Sequence, residues 1–438
     1  MPIVSRPDES PHTGQTFLYF GSLTLFIYLA TPDRSLMDIQ TSFMLKNQLN
    51  ATATQTSLFR LITGIPIYLA FVCGMVRDQW NPLGLRDRGF FFIFAPATAA
   101  IYICMGFSGL SYPVLFIGML LAMVVSRFTL AAYQGLIALV GQERLMSGRL
   151  SVLWNVVIQL LATAGYFASA YISMHSKSLT PRATFLLVAA AMCCLAFLGL
   201  WKPRSVFSNA YNQPQAIGTN FLGDISRLVK HRAIYPAVLI CFLWNFAPGF
   251  ATPLQYYLTT LGASDAVFSY FNGAFTAAFI PTFLLYGFLC RRVSLNKLLW
   301  ISTIIAVPQL VPMAFLHSAN GAIALAVPMG LLGGLAQAAY IDLAMRSCPP
   351  GLQGTLMMLV DGVYALSARG GDVLGSAIYG SSPTHGFLLC VIATTAVYAL
   401  ILPLILLVPK RLIATADGQA DLDVGFEVVL KDTATEPV

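Results

Sequence analysis

The side chains able to do chemistry in this chain are ionisable groups set inside long apolar stretches. Asp33, Arg34 and Asp38 lie in "TPDRSLMDIQTSFML", Thr31 to Leu45, directly after an uncharged run. Arg127 stands in "MVVSRFTLAAYQG", Gln337 and Asp342 in "AQAAYIDLAMR", and Asp361, Arg369 and Asp372 in "LVDGVYALSARGGDVLG". A guanidinium grips a carboxylate or phosphate through two parallel hydrogen bonds. A carboxylate can pair with it or carry a proton. Ionisable groups in apolar helices are costly and mark ion, proton or solute pathways.

Spacing sorts these residues onto faces. If the helix runs on past Ala30, then Thr31, Arg34, Ser35, Asp38, Thr41 and Ser42 share one side, while Leu36, Ile39 and Phe43 share another. Arg34 and Asp38 are expected to line an internal cavity, although their i, i+4 spacing also lets them pair with each other. Asp33 is expected nearer the outer rim, in contact with solvent. Pro32 removes a backbone donor and loosens the helix there. Asp361 and Asp372 are eleven apart, about three turns, and so share a face. Asn245, in "FLWNFAPGFATPLQYY", is a further candidate for the cavity wall.

Those residues need long apolar helices to hold them. The 438 residues are 57% hydrophobic and 10% charged, with mean hydropathy +0.73, against about 25% charge in soluble proteins. The apolar runs last about twenty residues and lack the alternation of barrel strands. The expected architecture is therefore an all-α polytopic membrane protein of about twelve spans, embedded in a lipid bilayer. They fall near 16–44, 55–76, 90–108, 112–139, 150–172 and 182–200, then 233–259, 266–289, 298–316, 320–345, 353–379 and 385–409. Residues 1–200 form one six-helix bundle and 233–411 a second. Between them lies a polar central loop, 201–232, whose "FLGDISRLVKHR" reads as a short amphipathic surface helix. Residues 412–438 form an acidic tail expected to be flexible.

Positive charge gathers in alternate loops. Arg77, Arg86 and Arg88 follow the second span, Arg144 and Arg149 the fourth, and Lys202, Arg204, Arg227, Lys230 and Arg232 occupy the centre. Arg291, Arg292, Lys297, Arg346, Lys410 and Arg411 continue the pattern in the second half. Both termini are therefore expected in the cytoplasm of a cell whose inner (plasma) membrane, of bacterial type, holds the chain. The same bias accounts for the net charge of +7 without any nucleic-acid partner.

The halves repeat. "SGRLSVLWNVVIQLLATAG", from Ser147, lies over "QGTLMMLVDGVYALSARGG", from Gln353, with matched Gly, Leu, Val and Ala residues and no gap. Asn155 then meets Asp361, Thr163 meets Arg369, Pro32 meets Pro248 and Pro66 meets Pro281. Such a duplication is a mark of transporter folds.

With these features the chain resembles the major facilitator superfamily. The most specific part is the loop "GMVRDQWNPLGLRDRG", where Gly74, Asp78, Gly84, Arg86 and Arg88 resemble that family's signature between the second and third spans. The insertion "QWNPL" departs from the common spacing and is similar to the folate-biopterin transporter and muropeptide permease branches. The resemblance implies two pseudo-symmetric six-helix bundles that rock about a central site. It makes Gly74, Arg77, Asp78, Gly84, Arg86 and Arg88 a cytoplasmic gating motif. Charge alone gives the loop a reason too: Asp78 at the end of its helix needs cations, and Arg77, Arg86 and Arg88 are near.

The expected function is a secondary active transporter for a small organic solute, with protons as the energy source. An anion is the expected cargo, held by Arg127 and Arg369 from opposite halves, with Arg34, Asp38, Asn155, Asn245, Gln337, Asp342, Asp361 and Asp372 as substrate- or proton-binding candidates. Internal Arg–Asp pairs that only fix packing are the alternative for these groups. Within transport the rival is a carrier of cations or neutral solutes, and outside it a membrane scaffold or assembly factor of the same fold. No cofactor or metal is expected, and no oligomer is required. There is no nucleotide-binding GxxxxGK[ST], no GxSxG and no HExxH, and the five histidines form no cluster, so an enzyme is not expected.

Overall fold

Apolar run length produces the helices and the breaks within them follow proline and glycine. The computed structural model describes residues 13–33, 37, 40–41, 44–51, 53–175, 181–203, 206–207, 221–316, 318–382 and 384–419. Arg34 and Asp38 lie outside them. The first half comprises α1 (Thr13–Ala30), α2 (Ala53–Tyr68), α3 (Ala70–Gln79), α4 (Asp87–Phe107), α5 (Tyr112–Glu143), α6 (Ser147–His175) and α7 (Pro181–Leu198). The amphipathic α8 (Phe221–Lys230) follows, as expected for the central loop.

The second half comprises α9 (Ile234–Asn245), α10 (Ala251–Thr260), α11 (Asp265–Leu289), α12 (Leu295–Ala306), α13 (Ala319–Arg346), α14 (Gln353–Ser381), α15 (Gly386–Ala399), α16 (Ile401–Ile405) and the short α17 (Lys410–Ile413). Among the described residues there is no strand, and nine helical stretches are long and apolar enough to cross a bilayer. The chain is a multi-pass integral membrane protein.

Two expectations about boundaries change. The first span is not one helix through residue 44: α1 stops at Ala30, and Thr31–Asp33 form a turn at Pro32. The second half breaks at the matching place, where α9 ends at Asn245 and α10 begins at Ala251, with Pro248 between. Side chains satisfy the backbone freed at these breaks. Tyr102 Oη donates to Ala30 O (2.8 Å), and Gly249 N donates to Thr394 Oγ1 (2.8 Å). The second change is in the tail, whose residues 412–419 are docked against the bundle; residues 420–438 lie outside the described residues.

Helices of opposite halves meet along α6–α11, α3–α14, α5–α14 and α6–α13. Buried Tyr19, Phe20, Tyr102, Phe90 and Phe91 fill the first half, and Phe283, Tyr286, Leu299 and Tyr340 the second.

Candidate solute cavity and gate

The two halves enclose a cavity of about 330 Å³, at the small end of ligand pockets, which run from about 300 Å³ upward. Its wall comes from both bundles: Tyr28, Gln134, Trp154, Asn155 and Gln159 on one side, and Trp244, Asn245, Gln309, Gln337, Asp361, Tyr364 and Tyr398 on the other. Asn155 and Asp361 each stand eight residues into their helices, α6 and α14, so the sequence repeat places them on equivalent walls. Asn155 Nδ2 donates to Ser151 O (2.8 Å) and Asn245 Nδ2 to Cys241 O (3.0 Å). Each amide spends one N–H on its own helix and keeps its second N–H and its oxygen for other partners.

Aromatic side chains are fixed by hydrogen bonds of their own. Trp154 Nε1 donates to Tyr28 Oη (3.0 Å), Trp244 Nε1 donates to Gln337 Oε1, and the Trp244 ring stacks on Tyr398 with centroids 4.8 Å apart. Gln134 is 1% exposed, and its Oε1 has no hydrogen-bond partner among the described residues.

Behind this wall lies the charged centre. Arg127, in the middle of α5, is 0% exposed. Its Nη1 donates to Asp361 Oδ2 of the other half (3.2 Å), and its Nη2 donates to Asp33 Oδ1, just past the break in α1. The expectation that Asp33 is solvated at the rim is corrected: a guanidinium too deep to reach water takes the nearest carboxylates as partners. Arg127 does not itself line the cavity.

Other candidates lie elsewhere. Asp372 accepts from Thr252 N (2.8 Å) and Thr252 Oγ1 (3.0 Å), capping the first turn of α10. Arg369 is eight residues beyond Asp361, about 12 Å along the helix, and is exposed. No contact joins it to Arg127, so the expected clamp of two arginines is not assembled here. Asp342 is one turn from the end of α13 and 0% exposed. It accepts from Ser147 Oγ of the other half (2.7 Å), from Tyr286 Oη (2.8 Å) and from Arg346 Nε (2.9 Å). It belongs to the junction at the arginine-rich end, not to the cavity.

That junction closes the cavity on one side. Asp78, at the end of α3, accepts from Gly354 N (3.1 Å), Thr355 N (2.7 Å) and Thr355 Oγ1 (2.6 Å) at the start of α14. A carboxylate is stabilised there by the free N–H groups and positive end of the helix. Arg77, adjacent, donates to Asp78 Oδ1 (2.8 Å) and to Asp87 Oδ1 (2.5 Å). Gly74 permits the close approach: a Cβ on it would lie 2.5 Å from Gly354 O. Gln142 Nε2 donates across the junction to the carbonyls of Met345 (2.9 Å) and Cys348 (2.8 Å).

The rest of the signature shapes the loop. Gly84 has φ +68 with open space around it, a conformation that favours glycine. Arg86 N donates to Asn81 Oδ1 (2.6 Å), and Arg88 Nε donates to Gly199 O (2.7 Å), closing the end of α7. Sequence reasoning did not place Gln134 in the cavity wall, Asp33 beside Arg127 or Asp87 beside Arg77, where the structure puts them. The depth of Arg127 was the available signal for Asp33, since a buried cation requires a counter-ion. Among the described residues no cluster of His, Cys, Asp or Glu is arranged to hold a metal.

Comparison with known proteins agrees with this geometry. The model of the Major Facilitator Superfamily matches residues 15–369. Among solved structures, the transporter FucP in its outward conformation superposes with TM-score 0.65 at 16% identity, covering 90% of this chain and 98% of that one. The human organic anion transporter MFSD10 (TETRAN) gives 0.65 at 15%, covering 89% and 98%. The proton:xylose symporter XylE, bound to 6-bromo-6-deoxy-D-glucose, gives 0.64 at 14%, covering 92% and 96%. No curated protein matches the chain. With a family match over most of its length and a two-bundle fold around a cavity, the chain belongs to the major facilitator superfamily of transporters.

Proposed function

We propose that the protein is a proton-coupled secondary transporter that moves a small polar organic solute through the central cavity by alternating access. The observation that carries this reading is the bridge from Arg127 to Asp33 and Asp361, which ties both halves together beside the cavity wall. A proton on Asp361 weakens the link between halves, and the resulting change in their relative position is the coupling step.

The wall supports an uncharged hydrogen-bonding solute ahead of the expected anion. Amides from Gln134, Asn155, Gln159, Asn245, Gln309 and Gln337 alternate with aromatic faces, and among the described lining residues Asp361 is the one carboxylic acid and there is no Arg or Lys. An anion is the second reading, favoured by the exposed Arg369 farther along α14. The fold does not choose between them, because the similar structures include a xylose symporter and an organic anion transporter.

In this reading the arginine-rich end is the cytoplasmic end, with both termini on that side, and the closed junction is the cytoplasmic gate. Uptake into proteoliposomes under an imposed pH gradient, across a panel of sugars, polyols, organic anions and organic cations, tests the proposal. Gradient-driven accumulation of a neutral solute, abolished in Asp361→Asn, is the expected result. Accumulation of anions alone moves the site toward Arg369, and accumulation without a proton gradient removes the coupling role of Arg127 and its partners.

A further inference from the structure

The chain that follows the twelfth segment turns back under the gate. Its early part is held by the C-terminal half: Arg346 Nη1 donates to Leu412 O (3.5 Å) and Thr415 O (3.1 Å), and Asp417 N donates to Cys290 O (2.8 Å). Its last described residues reach the N-terminal half. Asp417 Oδ1 accepts from Gly148 N (3.1 Å), Asp417 Oδ2 accepts from Arg149 Nε (2.8 Å), and Gly418 N donates to Leu145 O (2.6 Å).

Each of these contacts has a local cause. Gly148 is in the first turn of α6, where free N–H groups and the positive end of the helix favour a carboxylate. Gly418 has φ +85, a conformation that glycine adopts without strain, and so can present its N–H to Leu145. Ile413, Ala416 and Asp417 are buried, so the segment is packed into the junction and not laid over it.

We infer that Lys410–Gly418 is an intramolecular latch, tethered to the C-terminal half and hooked by Asp417 and Gly418 onto the start of α6, which holds the gate closed and must unhook before it opens. Among the described residues, the tail's bonds to the opposite half converge on two adjacent residues, Asp417 and Gly418, so they can be released together. The hook is also balanced: Asp417 lies beside Asp342 as well as beside Arg149 and Arg346, and repulsion between the two carboxylates limits how tightly it holds. Alternating access is the premise, so this inference rests on the proposed transport function.

The test is the rate at which a maleimide alkylates Cys348 in the full-length protein in liposomes, without solute. Cys348 is 5% exposed, and its carbonyl is bonded across the gate to Gln142, so its labelling reports gate opening. The variants are Asp417→Ala, which removes both acceptor oxygens of the hook, truncation after Ala414, and Asp78→Ala as a gate variant that leaves the tail intact. Asp417→Ala and the truncation are expected to raise the rate about tenfold, the change that about 1.4 kcal/mol of lost docking produces. If Asp78→Ala accelerates labelling and neither tail variant does, the latch is overturned while alternating access stands. If none of the three changes the rate, the gate does not open and both readings fall.

Discussion

Arg127 Nη1 lies 3.2 Å from Asp361 Oδ2, a bond that crosses from the N-terminal to the C-terminal half where the cavity wall begins. The same guanidinium also holds Asp33 beside the break in α1. One fully buried cation therefore registers the position of both halves.

Replacing Asp361 by Asn keeps the shape of the wall and removes its charge. Proton-driven accumulation is expected to fall at least about tenfold, while exchange of labelled for unlabelled solute across the membrane continues. Parallel loss of both activities would make Asp361 a solute ligand only.

Removing the cation is a larger insult. Arg127→Ala removes the buried cation that bridges Asp33 and Asp361, a destabilisation on the order of 3 kcal/mol. The thermal midpoint in detergent is expected to drop by several degrees, with Arg127→Lys in between. A midpoint equal to that of the unaltered protein would remove the structural weight given to this bridge.

Gly74 and Gly84 make a contrasting pair. A Cβ at position 74 would meet the backbone of Gly354 and Thr355 at 2.5–2.7 Å, where nothing can give way. At position 84 it would meet open space and only φ +68 opposes it, costing about 1 kcal/mol. Gly74→Ala is expected to force the gate apart and accelerate Cys348 labelling, and Gly84→Ala to leave labelling near its original rate. Equal effects would contradict the close-approach role of Gly74.

Gln134 presents a buried amide oxygen with no partner among the described residues, and leaving such a group unsatisfied costs about 1–3 kcal/mol. If the solute supplies the missing donor, Gln134→Leu raises KM by about tenfold or more with a smaller change in the maximal rate. An unchanged KM would place the solute away from α5.

Tail docking depends on pH with a definite sign. Burial, then the charge of Asp342, push the Asp417 carboxyl up to about 6 against the pull of Arg149 and Arg346, from an ordinary 3.8. Cys290 faces the same carboxylate. A carboxyl raised by docking binds more protons docked than free, so docking is strongest below about 4 and weakens as pH rises through about 6. Nitroxide labels at Leu83→Cys and Gln419→Cys, in a background without the native cysteines, report the docked fraction by pulsed EPR. That fraction is expected to be higher at pH 5 than at pH 8 and to lose this dependence in Asp417→Asn. A docked fraction that rose with pH would contradict the sign.

What the sequence by itself determined is local or periodic: apolar runs long enough to span a bilayer, alternating arginine-rich loops, the Pro32–Pro248 and Asn155–Asp361 correspondences, and the Gly74–Asp78 signature. These follow from helix rise, charge bias and repeat register, and need no knowledge of which helix packs on which. The partners of the buried charges were decided only in three dimensions. Asp342 read as a cavity residue until its helix end was brought against Ser147, and Asp78 until then lacked the N-terminus of α14 that it caps. Asp417 looked like part of a solvated acidic tail, yet it is buried at a junction between segments distant in the chain. A lone charge in an apolar run says that a partner must exist; the packing of the two bundles supplies its identity.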